Sequence, residues 1–68
     1  MREFKLNSEY IELVKLLKLL GIAETGGHAK ILVEEGEVYL NGKLEFRKRA
    51  KLRKGDEIEV LNEKLVIK

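Results

Sequence analysis

The sequence predicts an α+β fold, with two helices packed on a small, mainly antiparallel sheet. Three observations carry this expectation. Apolar residues recur at helical spacing over residues 9–20 and again over 25–36, the period drops to two from Val38 onward, and Asn41-Gly42 and Gly55-Asp56 punctuate the second half with turn signals. No linker or internal repeat interrupts the pattern, so residues 1–68 are expected to form one domain.

Phe4 and Leu6 alternate with Glu3 and Lys5, which predicts a short N-terminal strand. Ser8 is then placed to cap a first helix over about Glu9 to Leu20. Glu9 and Glu12 suit its positive N-terminal end, and Gly21 lies just past its last turn. Its polar residues, Glu9, Glu12, Lys15 and Lys18, form one narrow stripe, so the wide apolar remainder must be covered on more than one side. A second helix starts near Thr25 or Gly26, with Thr25 as cap, and closes at Gly36. Ala29, Leu32 and Val33 form its inner face, and Ile31, on the opposite side, calls for a second contact with the N-terminal strand.

Asn41-Gly42 predicts a hairpin. A two-residue loop there would put Leu40 opposite Lys43 and Val38 opposite Glu45, mixing core and solvent residues. A three-residue loop ending in left-handed Gly42 pairs Val38 with Leu44 and keeps Phe46 on the core face, and it is the expected register. Ile58, Val60, Leu65 and Ile67 then read as a second hairpin around Asn62-Glu63.

With 44% hydrophobic and 38% charged residues, the chain has the composition of a folded domain. Below roughly 70–80 residues one core supplies only a few kcal/mol of net stability, so a deep catalytic cavity is not expected. No Cys is present, which removes thiol catalysis and Cys-based zinc sites and fits a reducing, cytoplasmic setting. The N-terminus lacks a secretory pattern, and no apolar run approaches the ~20 residues needed to span a membrane. His28 is the one histidine, with Ser8, Thr25 and two tyrosines as the hydroxyls, a poor set for acid–base or nucleophilic work. Glu34 and Glu35 are adjacent and diverge on a helix, so no metal site is read there. The expectation is a non-enzyme with no cofactor, metal or small-molecule substrate.

Charge is the stronger signal. Lys43 to Asp56 holds seven of the 14 basic residues and two of the 12 acidic ones, an excess of five positive charges in a chain whose net charge is only +2. Such a block is the footprint of a nucleic-acid binder or, alternatively, a solvated surface loop. Arg47 and Arg49 carry most weight, because guanidinium groups bind phosphate bidentately and lysines act as point charges. Thr25-Gly26-Gly27-His28 opens a helix with unobstructed amides, which suits an anion, although paired glycines also serve tight turns. Lys30 adds a cation near that end, and His28 reads as a hydrogen-bonding or stacking ring or as an ordinary surface histidine. With Phe46 assigned to the core, Tyr10 and Tyr39 are the exposed aromatic candidates. Recognition is therefore expected to be of backbone shape and phosphate, not of stacked bases.

The run from Leu20 to Gly42, with its G-x-V-x-x-N-G turn at Gly36 to Gly42 and the later Gly55-Asp56-Glu57-Ile58, resembles the αL motif of the S-four RNA-binding domain. Gly26-Gly27 before Ala29-Lys30, together with Glu45 to Leu52, is similar to that family's small stand-alone bacterial branch. The resemblance covers about Tyr10 to Val60. It implies the αL-motif RNA-binding fold and structured RNA as ligand, ribosomal or transfer RNA, in ribosome assembly or translation quality control. It places Gly26, Gly27 and Lys30 at the helix-end part of the site and Arg47, Lys48, Arg49 and Lys51 at the basic part. Thr25 and His28 flank the helix end, and Lys18, Lys43 and Lys54 join on charge alone. Two departures stand out: Phe46 replaces a small polar residue, and Lys48 stands where Arg is commoner. The resulting expectation is a cytoplasmic, monomeric RNA binder, possible ribosome association included, with no membrane contact. The alternative is a protein-interaction adaptor using its strand edge and Tyr39.

Overall fold

A computed structural model describes residues 2–68. Strand β1 (Arg2–Phe4) is followed by the short β2 (Ile11–Glu12), helix α1 (Leu13–Leu19) and helix α2 (Gly26–Glu34). The chain then continues through β3 (Val38–Leu40), β4 (Lys43–Leu44), β5 (Lys51–Leu52), β6 (Glu57–Val60) and β7 (Glu63–Ile67). Five strands form one sheet in the order β1-β7-β6-β3-β4, antiparallel except for the parallel β1–β7 pair, and β2 pairs antiparallel with β5 as a separate ribbon. The two helices close over the sheet, as expected. Leu13, Leu16 and Leu17 of α1 and Ala29, Leu32 and Val33 of α2 share a core with Val38, Ile58, Val60, Leu65 and Ile67. Among the described residues no helix is long and apolar enough to cross a membrane.

The first helix begins four residues later than its pattern suggests. Ile11 is buried against Leu52 in the ribbon, and the Leu13 and Val14 amides donate to the Ala50 and Lys48 carbonyls at 2.9 and 3.2 Å. These carbonyls, distant in sequence, serve as the helix cap. Glu12, the residue before the helix, makes no side-chain cap, and the Ser8 hydroxyl donates to the Tyr10 carbonyl at 2.9 Å instead. Helix α2 starts and stops as expected: the Thr25 hydroxyl accepts from the His28 amide, and Gly36 follows the last turn with φ +75°. Ile31, however, is half exposed.

The β3–β4 hairpin takes the two-residue loop, correcting the expected register. Tyr39 faces Leu44 and Leu40 faces Lys43. Both loop residues are left-handed, Asn41 at φ 51° and Gly42 at 85°, a turn whose twist matches that of the strands. Asn41 is held there from afar. Its side chain donates to Asp56 Oδ1 at 3.1 Å and accepts from the Glu57 amide at 2.9 Å, tying the hairpin tip to the turn at 53–56. As a result Leu44 and Phe46 are exposed, Phe46 at 57%, and Glu45 takes the inward place beside Val38. Phe46 is therefore not a core anchor; its ring and Leu44 lie over Gly36, within 4 Å of where a Cβ would stand. The second hairpin likewise turns on Leu61-Asn62, one residue earlier than expected, with Val60 opposite Glu63.

Candidate nucleic-acid interface

The basic segment leaves β4 as an arm that crosses the start of α1 and returns as β5. A turn over 47–50, closed by the Ala50 amide donating to the Arg47 carbonyl at 3.2 Å, carries Arg49, and β5 follows it. Ala50 and Leu52 are buried, and Arg49, Lys51 and Arg53 are exposed. With Arg47 they line a shallow groove of about 460 Å³. Arg53 belonged to the basic arm from Arg47 to Lys54 without a signal of its own, and it is singled out only once Leu52 sets the register of β5.

The first two cations of the arm are engaged within the protein. The Arg47 guanidinium donates from Nε and Nη2 to Glu45 at 2.9 and 3.0 Å, and its amide donates to the same carboxylate at 3.0 Å. The Arg47 side-chain hydrogen bonds hold the Glu45 carboxyl below its ordinary value, against the upward push of burial. These bonds also offset the cost of placing a carboxylate beside the core. Lys48 Nζ lies 2.6 Å from Glu34 Oε2 on α2. Arg49, Lys51, Arg53 and Lys54 make no ion pair among the described residues.

At the start of α2, Thr25 accepts from the amides of His28 and Ala29 through its hydroxyl and carbonyl oxygens, and His28 Nδ1 accepts from the Glu24 amide at 3.2 Å. Among the described residues the Gly26 and Gly27 amides have no acceptor. Neither glycine is required by the fold. A Cβ on Gly26 would meet open space, one on Gly27 would sit 3.8 Å from the Thr25 hydroxyl, and neither residue has positive φ. Gly27, Lys30, Ile31 and Glu34 follow at i, i+3, i+4 and i+7, one stripe along the helix, and Lys48 docks on its last member. The helix end and the arm are thus joined along the length of α2, about 12 Å from Gly26 to Glu34.

The remaining candidates lie apart. Lys18 sits in the last turn of α1, the end opposite the arm, where a cation complements the helix dipole. Lys43 follows the hairpin turn at 41–42, and Lys54 lies in the turn at 53–56 to which that hairpin tip is tied. Tyr10 joins the arm. Lys51 Nζ lies 4.9 Å from its ring centroid and the Arg53 guanidinium carbon 6.0 Å.

Comparison with known proteins places these features in a family. The S4 domain profile matches residues 4–68. YbcJ of Escherichia coli (strain K12) is 45% identical over 49 residues, covering 72% of this chain and 70% of YbcJ, and YbcJ of Shigella flexneri matches to the same extent. The solution structure of Escherichia coli YbcJ, described as revealing an αL motif involved in RNA-binding, superposes with a TM-score of 0.75 at 37% identity, covering 98% of this chain and 86% of that one. The 30S ribosomal protein S4e from Thermoplasma acidophilum shares the fold, with a TM-score of 0.70 at 20% identity over 85% of this chain and 31% of its own.

Proposed function

Because the chain belongs to the S4 domain family and has the αL-motif fold, we propose that it binds structured RNA without catalysis, ribosomal or transfer RNA being the ligand class, in ribosome assembly or translation quality control. The observation that carries this reading is the cluster of Arg49, Lys51 and Arg53, three cations lining one groove with no ion-pair partner among the described residues. Unengaged cations gathered in one groove supply sequence-independent affinity and fix the orientation of the ligand. The open amides of Gly26 and Gly27, with Lys30 one turn on, supply a second anion contact along α2. Arg47 and Lys48 act mainly by shaping the arm, since Glu45 and Glu34 already hold them.

The test is the triple replacement of Arg49, Lys51 and Arg53 by Ala, titrated against ribosomal RNA fragments by fluorescence anisotropy. Binding is expected to weaken with the circular dichroism spectrum unchanged. The slope of log K against log salt should flatten by about 2, each single-strand phosphate contact contributing roughly 0.7. Unchanged affinity and slope would refute the reading. A second reading, a protein adaptor, draws on Tyr39 and Leu44, which pair on the outer sheet face at the β4 edge with Phe46 beyond them, all exposed. Capture of protein partners from nuclease-treated lysate would favour it, because an adaptor keeps its partners when RNA is destroyed.

A further inference from the structure

Resting on the RNA-binding reading, we infer that Tyr10 stacks one unpaired nucleotide of the RNA whose phosphates lie along Arg49, Lys51 and Arg53. The β2–β5 ribbon sets Ile11 opposite Leu52 and Glu12 opposite Lys51. One step further, Tyr10 comes level with Arg53. Ile11 and Leu52 turn into the core, so Tyr10, Glu12, Lys51 and Arg53 share the outer face. An aromatic ring on the solvent side of a two-stranded ribbon adds little to folding. This one is 37% exposed and sits with two cations around it, beside the groove lined by Arg47, Arg49, Ala50, Lys51 and Arg53.

A nucleotide offers two kinds of surface, a charged phosphate and the π-face of its base, and this face of the ribbon answers both. Arg49, Lys51 and Arg53 line one groove, which suits phosphates of a single strand. Glu12, half-buried opposite Lys51, repels phosphate from its side. The backbone is thereby kept along Arg49 to Arg53, and the base is directed toward the ring. A base within a continuous duplex has both faces covered by its neighbours, so the ring selects a bulged, looped or overhanging nucleotide. The ligand class is thus a paired stem carrying an unpaired base, and not a uniform duplex.

The experiment compares two probes, a blunt RNA duplex and the same duplex with a short single-stranded tail carrying 2-aminopurine at its first position. Binding is read by anisotropy and stacking by quenching of the 2-aminopurine. The tailed probe is expected to bind about 5- to 150-fold more tightly, the range that stacking of one base supports. Tyr10→Leu is expected to erase that preference and the quenching, and Tyr10→Phe, which keeps the ring, to retain both. Equal binding of the two probes by the unaltered protein would overturn the inference. So would a Tyr10→Leu variant that weakens both probes by one factor, since the ring would then only be supporting the cations. If the unaltered protein bound neither probe, the RNA-binding reading itself would fall, and this inference with it.

Discussion

Replacing Gly26 and Gly27 together by Ala should make the protein more stable and a worse RNA binder, a combination that a purely structural role for the two glycines does not produce. Both residues have ordinary negative φ in the first turn of α2, and added methyl groups meet at most the Thr25 hydroxyl at 3.8 Å. Ala lowers the entropy of the unfolded chain and favours helix, by about 0.5 kcal/mol per site at the conservative end of the usual range. Two sites give about 1 kcal/mol, which for a domain of this size raises Tm by about 4–8 °C. The same methyl groups would stand beside two amides that have no acceptor among the described residues. A phosphate would be held off, and breaking each hydrogen bond to a charged ligand costs about 1.5–3 kcal/mol, tenfold or more in affinity. Thermal unfolding followed by circular dichroism and anisotropy with the tailed duplex measure the two effects separately. A lower Tm would refute the reasoning about open space, and unchanged affinity would remove the glycines from the interface.

Two further outcomes follow from the corrected hairpin. The folded-state pKa of Glu45 is depressed, so its ionised form stabilises the protein above the ordinary carboxylate range, and that contribution is lost as pH falls through the folded value. Glu45→Gln should therefore be less stable than the unaltered protein at neutral pH, with the gap closing below about pH 4 in urea melts across pH; a gap that persisted or widened in acid would contradict the assignment. Leu65→Ala, at a fully buried position, should cost about 2–5 kcal/mol and largely unfold so small a domain. Phe46→Ala should cost only a fraction of that, and the reverse order in chemical denaturation would restore Phe46 to the core.

How much of the fold was legible in the sequence depended on the range of the interactions involved. Helix α2 was legible almost to the residue, because Thr25 and Gly36 act on their own neighbours. The start of α1 was not, because its cap is the backbone of Lys48 and Ala50, and a carbonyl leaves no mark in the sequence. The hairpin register escaped for a related reason. Hydrophobic parity favoured Leu44 inside, but the side chain of Asn41 is bound to Asp56 and Glu57, and that distant tie goes with the tighter turn. Within the site, the cations were visible as a block of charge, and which of them are free was not.

Composition and local pattern by themselves determined that this chain forms two helices and a mainly antiparallel sheet, that it carries a basic arm, and that a glycine-opened helix accompanies the arm. Those properties rest on period, turn chemistry and charge, which act over a few residues. Tertiary structure alone decided which cations have a carboxylate partner within the protein. Glu45 and Glu34 engage Arg47 and Lys48, and the β2–β5 register turns Lys51 and Arg53 outward beside Tyr10. The physical reason is pairing across distance: a buried carboxylate takes the guanidinium that the fold sets against it, and a buried leucine fixes which alternate side chains face solvent.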